Sequence, residues 1–254
     1  MAALQLRAVQ GAMSFEVSGS DVFPGLTLYC GFPEAIGDAA GAVWFGDTTS
    51  IVWTEQDRGA WRCEGKAEGR LQYSLDVMPF DDCVEVVQSL TNRGNRRWRQ
   101  SLAFNCVSPG SYDAIFDYEC LRHWVGYLGS CARLASLPRV FGPRPTVQLY
   151  SVEGAPKGRQ IPFVAYFQAT PDVVLEPWIA IASADGRRAL ATVSEPALFL
   201  FQNIEYSCIH SAAGFGALRP GQTGRARTRI YLAAATTEEM RERCLRWDVE
   251  SVQA

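Results

Sequence analysis

Histidine is nearly absent from this chain. Only His123 and His210 occur in 254 residues. Any mechanism that needs an imidazole must use one or both, because histidine is the side chain whose charge changes near neutral pH. A basic excess is missing as well: the formal net charge is -3. That removes the attraction that nucleic acid or an anionic membrane surface requires. No run of about 18 apolar residues exists, so no helix is expected to span a membrane. Gln5, Arg7 and Gln10 interrupt the N-terminal stretch, which therefore lacks the apolar core of a signal peptide, and cytoplasm is the expected location. No P-loop, GxSxG elbow, HExxH or dinucleotide fingerprint appears, so kinase, hydrolase and dehydrogenase readings lose their usual support. The eight cysteines, at 30, 63, 83, 106, 120, 131, 208 and 244, form no CxxC pair. Most are expected to be reduced, buried, small apolar residues. Their spacing offers no clustered Cys and His for zinc.

Hydrophobic residues make up 48% of the chain and charged residues 20%, a folded globular balance. The dominant pattern is short strands separated by turns. Arg70 to Val77 alternates apolar and polar residues, Val84 to Leu90 follows, and Trp98 to Val107 returns after the turn Thr91-Asn-Arg-Gly-Asn95. These read as two consecutive hairpins or a meander. Further strands are expected at Ile161 to Ala169, Trp178 to Ser183, Arg188 to Ser194, Ala197 to Ile204 and Gly224 to Ala235. Asp185-Gly186 marks a tight hairpin. The stretches 30–42, 108–118 and 129–146 read as long Gly-, Pro- and Ser-rich loops, where binding residues often sit. One helix is clear: Thr236 with Glu239 forms a capping box, and Met240, Cys244 and Trp247 share a face. The whole chain, 1–254, is expected to be one all-β domain, a large antiparallel β-sandwich with a short C-terminal helix.

His210 lies in FQNIEYSCIH, near Asn203, Glu205 and Cys208. In an extended strand Asn203 and Glu205 share a face, one suited to hydroxyl groups, and Cys208 and His210 share a face for the same reason if the strand continues that far. His210 then serves either as a proton carrier or as a donor to a loop carbonyl that organises the turn at Pro220-Gly221. His123 neighbours Trp124 and is open to packing or to catalysis. Arg122 can clamp a carboxylate or sugar hydroxyl, or pair with a nearby acid. Arg225, Arg227 and Arg229 alternate and project from one face, lining either a cleft or a solvated outer surface.

The run YSLDVMPFDDCVEVVQSLTNRGNRRWRQSLAFNC resembles the sheet region of galactose-mutarotase-like β-sandwich proteins, in which Thr-Asn precedes a tight turn, here Thr91-Asn92. FQNIEYSCIHSAAGFGALRPGQTGRARTRIYL resembles their closing segment, where an Asn, a His and a Pro-Gly turn precede the last strand. The resemblance implies a sandwich that binds sugars on its concave sheet. Its epimerases use two histidines and a glutamate, types that His123, His210 and Glu205 supply, though their order and context differ from the epimerase motifs.

Two function classes follow. The first is a carbohydrate-active enzyme moving a proton at carbon, an epimerase, isomerase or β-eliminating lyase. His210, Glu205 and His123 form its catalytic set, while Asn203, Arg122, Arg227 and Trp124 hold the substrate. The sequence requires no cofactor and shows no ligand spacing for a metal, although a divalent ion held by His and carboxylates would serve the same chemistry. The second is a non-catalytic carbohydrate-binding sandwich or the accessory subunit of a sugar enzyme, with Trp44, Trp53 and Trp61 stacking on rings. A small sugar is the expected partner, with no nucleic acid and no membrane. A homo-oligomer and a heteromeric subunit both fit. Geometry separates the classes: a carboxylate within about 8 Å of a pocket-facing His210 favours catalysis, and burial against backbone carbonyls disfavours it.

Overall fold

The structure is a computed structural model that describes residues 3–38, 41–44, 50–140, 146–155 and 172–251. Among the described residues, two nine-stranded sheets stack face to face. Strands are numbered in chain order. The first sheet holds β1 (Gln5–Val9), β2 (Ser14–Ser18), β3 (Leu28–Asp38), β9 (Leu102–Ser108), β17 (Cys208–Gly214), β16 (Ala197–Asn203), β12 (Val147–Val152) and β13 (Val174–Leu175) in spatial order, with β4 (Gly41–Trp44) paired to β3. The second runs β11 (Ser130–Arg133), β10 (His123–Tyr127), β14 (Trp178–Ala182), β15 (Ala189–Glu195), β18 (Thr223–Ala233), β8 (Cys83–Asn92), β7 (Leu71–Pro79), β6 (Trp61–Ala67) and β5 (Ser50–Glu55). Helix α1 (Thr237–Ser251) packs on the outside of the second sheet. None of the described helices is long and apolar enough to cross a membrane.

Alternation builds the strands that cover one face. In β7, Leu71, Tyr73, Leu75 and Val77 are buried, while Gln72, Ser74 and Asp76 between them are half-exposed. The central strands β16 and β17 are buried at every position because both of their faces are covered. Leu200, Ile209 and Ala213 enter the core between the sheets, and Phe199, Phe201 and Ala212 join a second apolar layer on the opposite face. Asp185-Gly186 turns β14 into β15, with Gly186 at φ 68°. The capping box at α1 forms: Thr236 N–H donates to Glu239 Oε2 at 2.8 Å and Glu239 N–H to Thr236 Oγ1 at 3.3 Å. Met240, Cys244 and Trp247 are buried, and all eight cysteines are free. Covering Met240 and Trp247 contributes about 1.5–3 kcal/mol for each side chain.

Three expectations change. The stretch 30–42 is mostly β3 and β4, because a register shift between Gly31 and Ala35 absorbs the residues that looked like a loop. Ser130–Arg133, inside the 129–146 loop, pairs with β10. After Asn92 the chain leaves the second sheet, and β9 joins the first, so β8 and β9 are not a hairpin. The expected strand at Ile161 to Ala169 lies outside the described residues.

Arg225, Arg227 and Arg229 face outward. Arg225 is exposed, whereas Arg227 and Arg229 grip the buried Glu85 at 2.6 Å each. Both guanidinium groups lie over the Trp247 ring, 5.1 and 5.0 Å from its centroid. Burial pushes the Glu85 carboxyl up, but the two arginines outweigh it and hold the group below its ordinary 4.5. A carboxylate depressed in the folded state contributes stability above its unfolded pKa and loses it as pH falls through the folded value. Melting temperature is therefore expected to fall as pH drops below about 4.5, and Glu85→Gln is expected to flatten that slope. An equally steep acid limb in the variant would refute this role for Glu85.

Candidate functional site

The site around His210 forms where β3, β9 and β17 lie side by side. Ile209 pairs with Val107, so in an antiparallel ladder the neighbouring positions, His210 and Cys106, oppose each other. Cys208 precedes His210 by two residues and shares its face. That face is the one turned away from the second sheet. The His210 ring stacks on Phe104 at 4.8 Å with 8° between planes and meets Phe201 edge-on at 5.0 Å. Its Nδ1 lies 3.3 Å from the Phe201 carbonyl, and its Nε2 lies 3.8 Å from Glu34 Oε2. His210 itself is 2% exposed, while the Glu34 side chain is 38% exposed and opens the group to solvent.

Gly31 makes room for Glu34. A Cβ on Gly31 would lie 2.9 Å from Glu34 Cγ, so any larger residue would push the carboxylate arm aside. Sulfur completes the cluster. One donor atom from each of Cys106, Cys208 and His210 lies within 4.8 Å of the others, and all three residues are buried. The hydrogen bond from Cys106 lowers the Cys208 thiol below its ordinary value; burial opposes this and His210 reinforces it. The same bond, with burial, raises Cys106. Burial lowers His210, but Cys208 and Glu34 outweigh it and hold the ring above its ordinary 6.5.

The other candidate residues lie elsewhere. β16 ends at Asn203, and the following turn carries Glu205, so Asn203 and Glu205 do not share an extended face. Asn203 Oδ1 accepts the Glu205 N–H at 3.0 Å, which closes that turn. His210 sits within β17, not at a strand end, and its carbonyl partner is Phe201 in place of the Pro220-Gly221 turn.

His123 is fully buried on β10 in the second sheet. Its Nδ1 bonds Asp117 Oδ2 at 2.7 Å, and its buried Nε2 has no hydrogen-bond partner among the described residues. Asp117 also accepts the Arg122 N–H at 2.7 Å and donates its own N–H to Ser207 Oγ at 2.8 Å. Burial pushes Asp117 up, but His123 and Arg122 outweigh it and hold it below its ordinary 3.8. The Arg122 guanidinium is spent on the carbonyls of Ala114, at 2.9 Å, and Phe116. Together these residues tie the 112–122 loop to the turn before β17.

Trp124 points the other way from His123, toward the layer under α1, with Arg133 over its ring at 5.3 Å. Trp53 is a core residue that donates to the Ala12 carbonyl at 2.7 Å, and Trp61 packs edge-on against it. The side chain of Trp44 is outside the described set. A cavity of about 440 Å³ between α1 and the β15–β16 turn, bordered by Pro177, Glu195, Leu245 and Trp247, touches none of the candidate residues.

Glu34 and Cys106 are the members that sequence reading missed. Neither sits in a motif, and only the β3–β9–β17 register brings them to His210. The two segments singled out in the sequence do meet. Asn92 Nδ2 donates to the Leu218 carbonyl at 3.1 Å, and Gly221 N–H donates to the Asn92 carbonyl at 2.7 Å.

No protein-family model matches the sequence, and no curated protein matches it either. Solved structures do match. A galactose mutarotase-like protein from Lactobacillus casei superposes with a TM-score of 0.51 at 10% identity, covering 92% of this chain and 98% of that one. An alpha-N-acetylgalactosaminidase from Bifidobacterium bifidum, solved with GalNAc, superposes at 0.52 with 14% identity and covers 92% of this chain. This chain spans only 35% of that enzyme. At such identities the likeness concerns architecture. The chain therefore has the galactose mutarotase-like β-sandwich fold.

Proposed function

We propose that the chain acts on a sugar or sugar derivative by moving a proton at carbon, with His210 and Glu34 as the acid–base pair. The approach of His210 Nε2 to Glu34 Oε2, 3.8 Å, carries this reading. It pairs the two proton carriers such chemistry needs, with one partner, Glu34, open to solvent. Phe104 and Phe201 fix the ring plane, and the Phe201 carbonyl fixes the tautomer by accepting from Nδ1. The residues fit epimerisation, isomerisation and β-elimination alike, since each begins with a proton leaving or reaching carbon beside a polarised group. The shared fold with sugar enzymes adds support by analogy alone.

The burial of His210, 2% exposed with Nδ1 against the Phe201 carbonyl, is the arrangement that disfavours catalysis, and it supports a second reading, a non-catalytic carbohydrate-binding protein in which the ring is a packing element. One experiment separates the two. Chelator-treated protein is presented with a panel of aldoses, keto sugars and uronic acids in deuterated water, and carbon-bound deuterium is followed by NMR. The catalytic reading expects exchange or turnover with a member of the panel, lost in His210→Gln. Saturable binding with no exchange would establish the second reading and overturn the first.

A further inference from the structure

We infer that Cys106, Cys208 and His210 form a binding site for a thiophilic divalent metal ion of the zinc type. The inference goes beyond the sugar reading and does not rest on it. Three observations converge. The donor atoms of the three residues lie within 4.8 Å of one another. In a tetrahedral zinc site with Zn–S of about 2.3 Å and Zn–N of about 2.0 Å, donors stand about 3.5–4 Å apart, so rotamer adjustments of an ångström or less would close the set. The His210 ring is already oriented as a metal ligand: Nδ1 faces the Phe201 carbonyl at 3.3 Å, and donation there leaves the Nε2 electron pair free. Glu34, whose Oε2 is 3.8 Å from that Nε2, borders the site on its half-exposed side. It supplies either a fourth ligand or the wall of an open coordination position, and it marks the entry path.

The chemistry selects the ion. Two sulfurs and one imidazole suit zinc or cobalt, whereas magnesium and calcium demand oxygen ligands. Burial keeps water from competing for the thiolates. The long strand register that assembles the site explains why no short motif announces it: β9 provides one ligand, β17 two and β3 the carboxylate. Among the described residues, this is the one group of three or more such side chains whose donors come together. A metal on Nε2 and a free proton carrier are exclusive states of His210, which is why the sugar test uses chelator-treated protein.

The test uses the full chain, reduced and stripped with chelator, and titrates it with Co²⁺. The expected result is one equivalent bound, with visible ligand-field absorption of four-coordinate cobalt and a near-ultraviolet thiolate-to-cobalt band, both displaced by Zn²⁺. Cys106→Ser and His210→Gln are each expected to weaken binding by at least tenfold. Cys131→Ser, at the one half-exposed cysteine, is expected to leave it unchanged. Wild-type protein provides a second measurement that needs no folded variant. Zn²⁺ should protect Cys106 and Cys208, and no other cysteine, from alkylation followed by peptide mass mapping. Absence of the charge-transfer band, equal binding in the variants, or protection that falls on other cysteines would overturn the inference. Sugar turnover enters none of these readouts, so the two proposals fail separately.

Discussion

Glu34→Gln is expected to lower turnover of a responsive sugar by about 10²-fold or more, with little change in stability. Glutamine keeps the volume and reach of the side chain, so Gly31 accommodates it equally well. What it loses is the ability to take and return a proton beside His210 Nε2. His210→Gln is expected to cost a similar factor, and the double variant little more than either single one, since groups acting as a unit are not additive. Gly31→Ala offers a gentler version: its Cβ, 2.9 Å from Glu34 Cγ, displaces the carboxylate without removing it. Its turnover is expected to fall while the wild-type pH profile persists, because the titrating groups remain. Glu205→Ala is the control, with wild-type turnover expected, since Glu205 belongs to the turn between β16 and β17. Full turnover in a folded Glu34→Gln protein would remove Glu34 from the mechanism. Loss of turnover in Glu205→Ala alone would move the site to that turn.

The features legible in the sequence are those with local causes. The alternation of Leu71, Tyr73, Leu75 and Val77 announces a strand with one face in the core. Asp185-Gly186 announces a hairpin because the tight turn needs a positive φ. Thr236 and Glu239 announce a helix start because each satisfies an orphan N–H of the other. Long-range pairing leaves no such local trace. Gly31, Pro33 and Gly37 made β3 look like a loop, since a strand bent by a register shift carries the residues of a turn. The Thr91-Asn92 turn looked like a hairpin because nothing nearby states which sheet receives β9.

The same limit hid half of the candidate site. His210 stood out by rarity, and Cys208 shares its face by period two. Glu34 and Cys106 reach it only through strand partners distant in sequence, and a slip of one residue in β9 would turn Cys106 to the other face. Glu205 was attractive because it is near His210 along the chain, yet the turn after Asn203 breaks the period on which that nearness depended. His123 shows the converse case. Asp117, six positions away, holds its Nδ1 at 2.7 Å, and a histidine that in sequence was open to packing or to catalysis is wholly enclosed in the fold.

Thr228→Val is expected to destabilise the protein by about 3 kcal/mol or more, although it preserves the shape of the side chain. Thr228 is fully buried between the sheets, and its hydroxyl is the hub of a polar chain. Tyr73 Oη donates to Gln88 Oε1 at 2.7 Å, and Gln88 Nε2 donates to Thr228 Oγ1 at 2.8 Å. Asn105 Nδ2 donates to the same oxygen at 3.3 Å from the opposite sheet. Ser194 Oγ gives its proton to the Ser211 carbonyl at 2.8 Å, so the Thr228 proton must point to Ser194 Oγ, also at 2.8 Å. Both lone pairs and the proton of Thr228 are thus engaged, and the contacts join β8, β9, β15 and β18 across the sandwich. Valine leaves two amide donors and one hydroxyl acceptor short of a partner, each costing about 1–3 kcal/mol when buried. Thr228→Ser keeps the hydroxyl and loses one methyl, so it is expected to cost only about 1 kcal/mol. Urea unfolding with an unchanged m-value gives both numbers. A Thr228→Val protein within about 0.5 kcal/mol of wild type would show that the hydroxyl carries no such load. A large loss in Thr228→Val with near-wild-type Thr228→Ser would place the cost in the unpaired polar groups and not in packing, so that a hydrogen-bonded chain across the core helps set how the two sheets align.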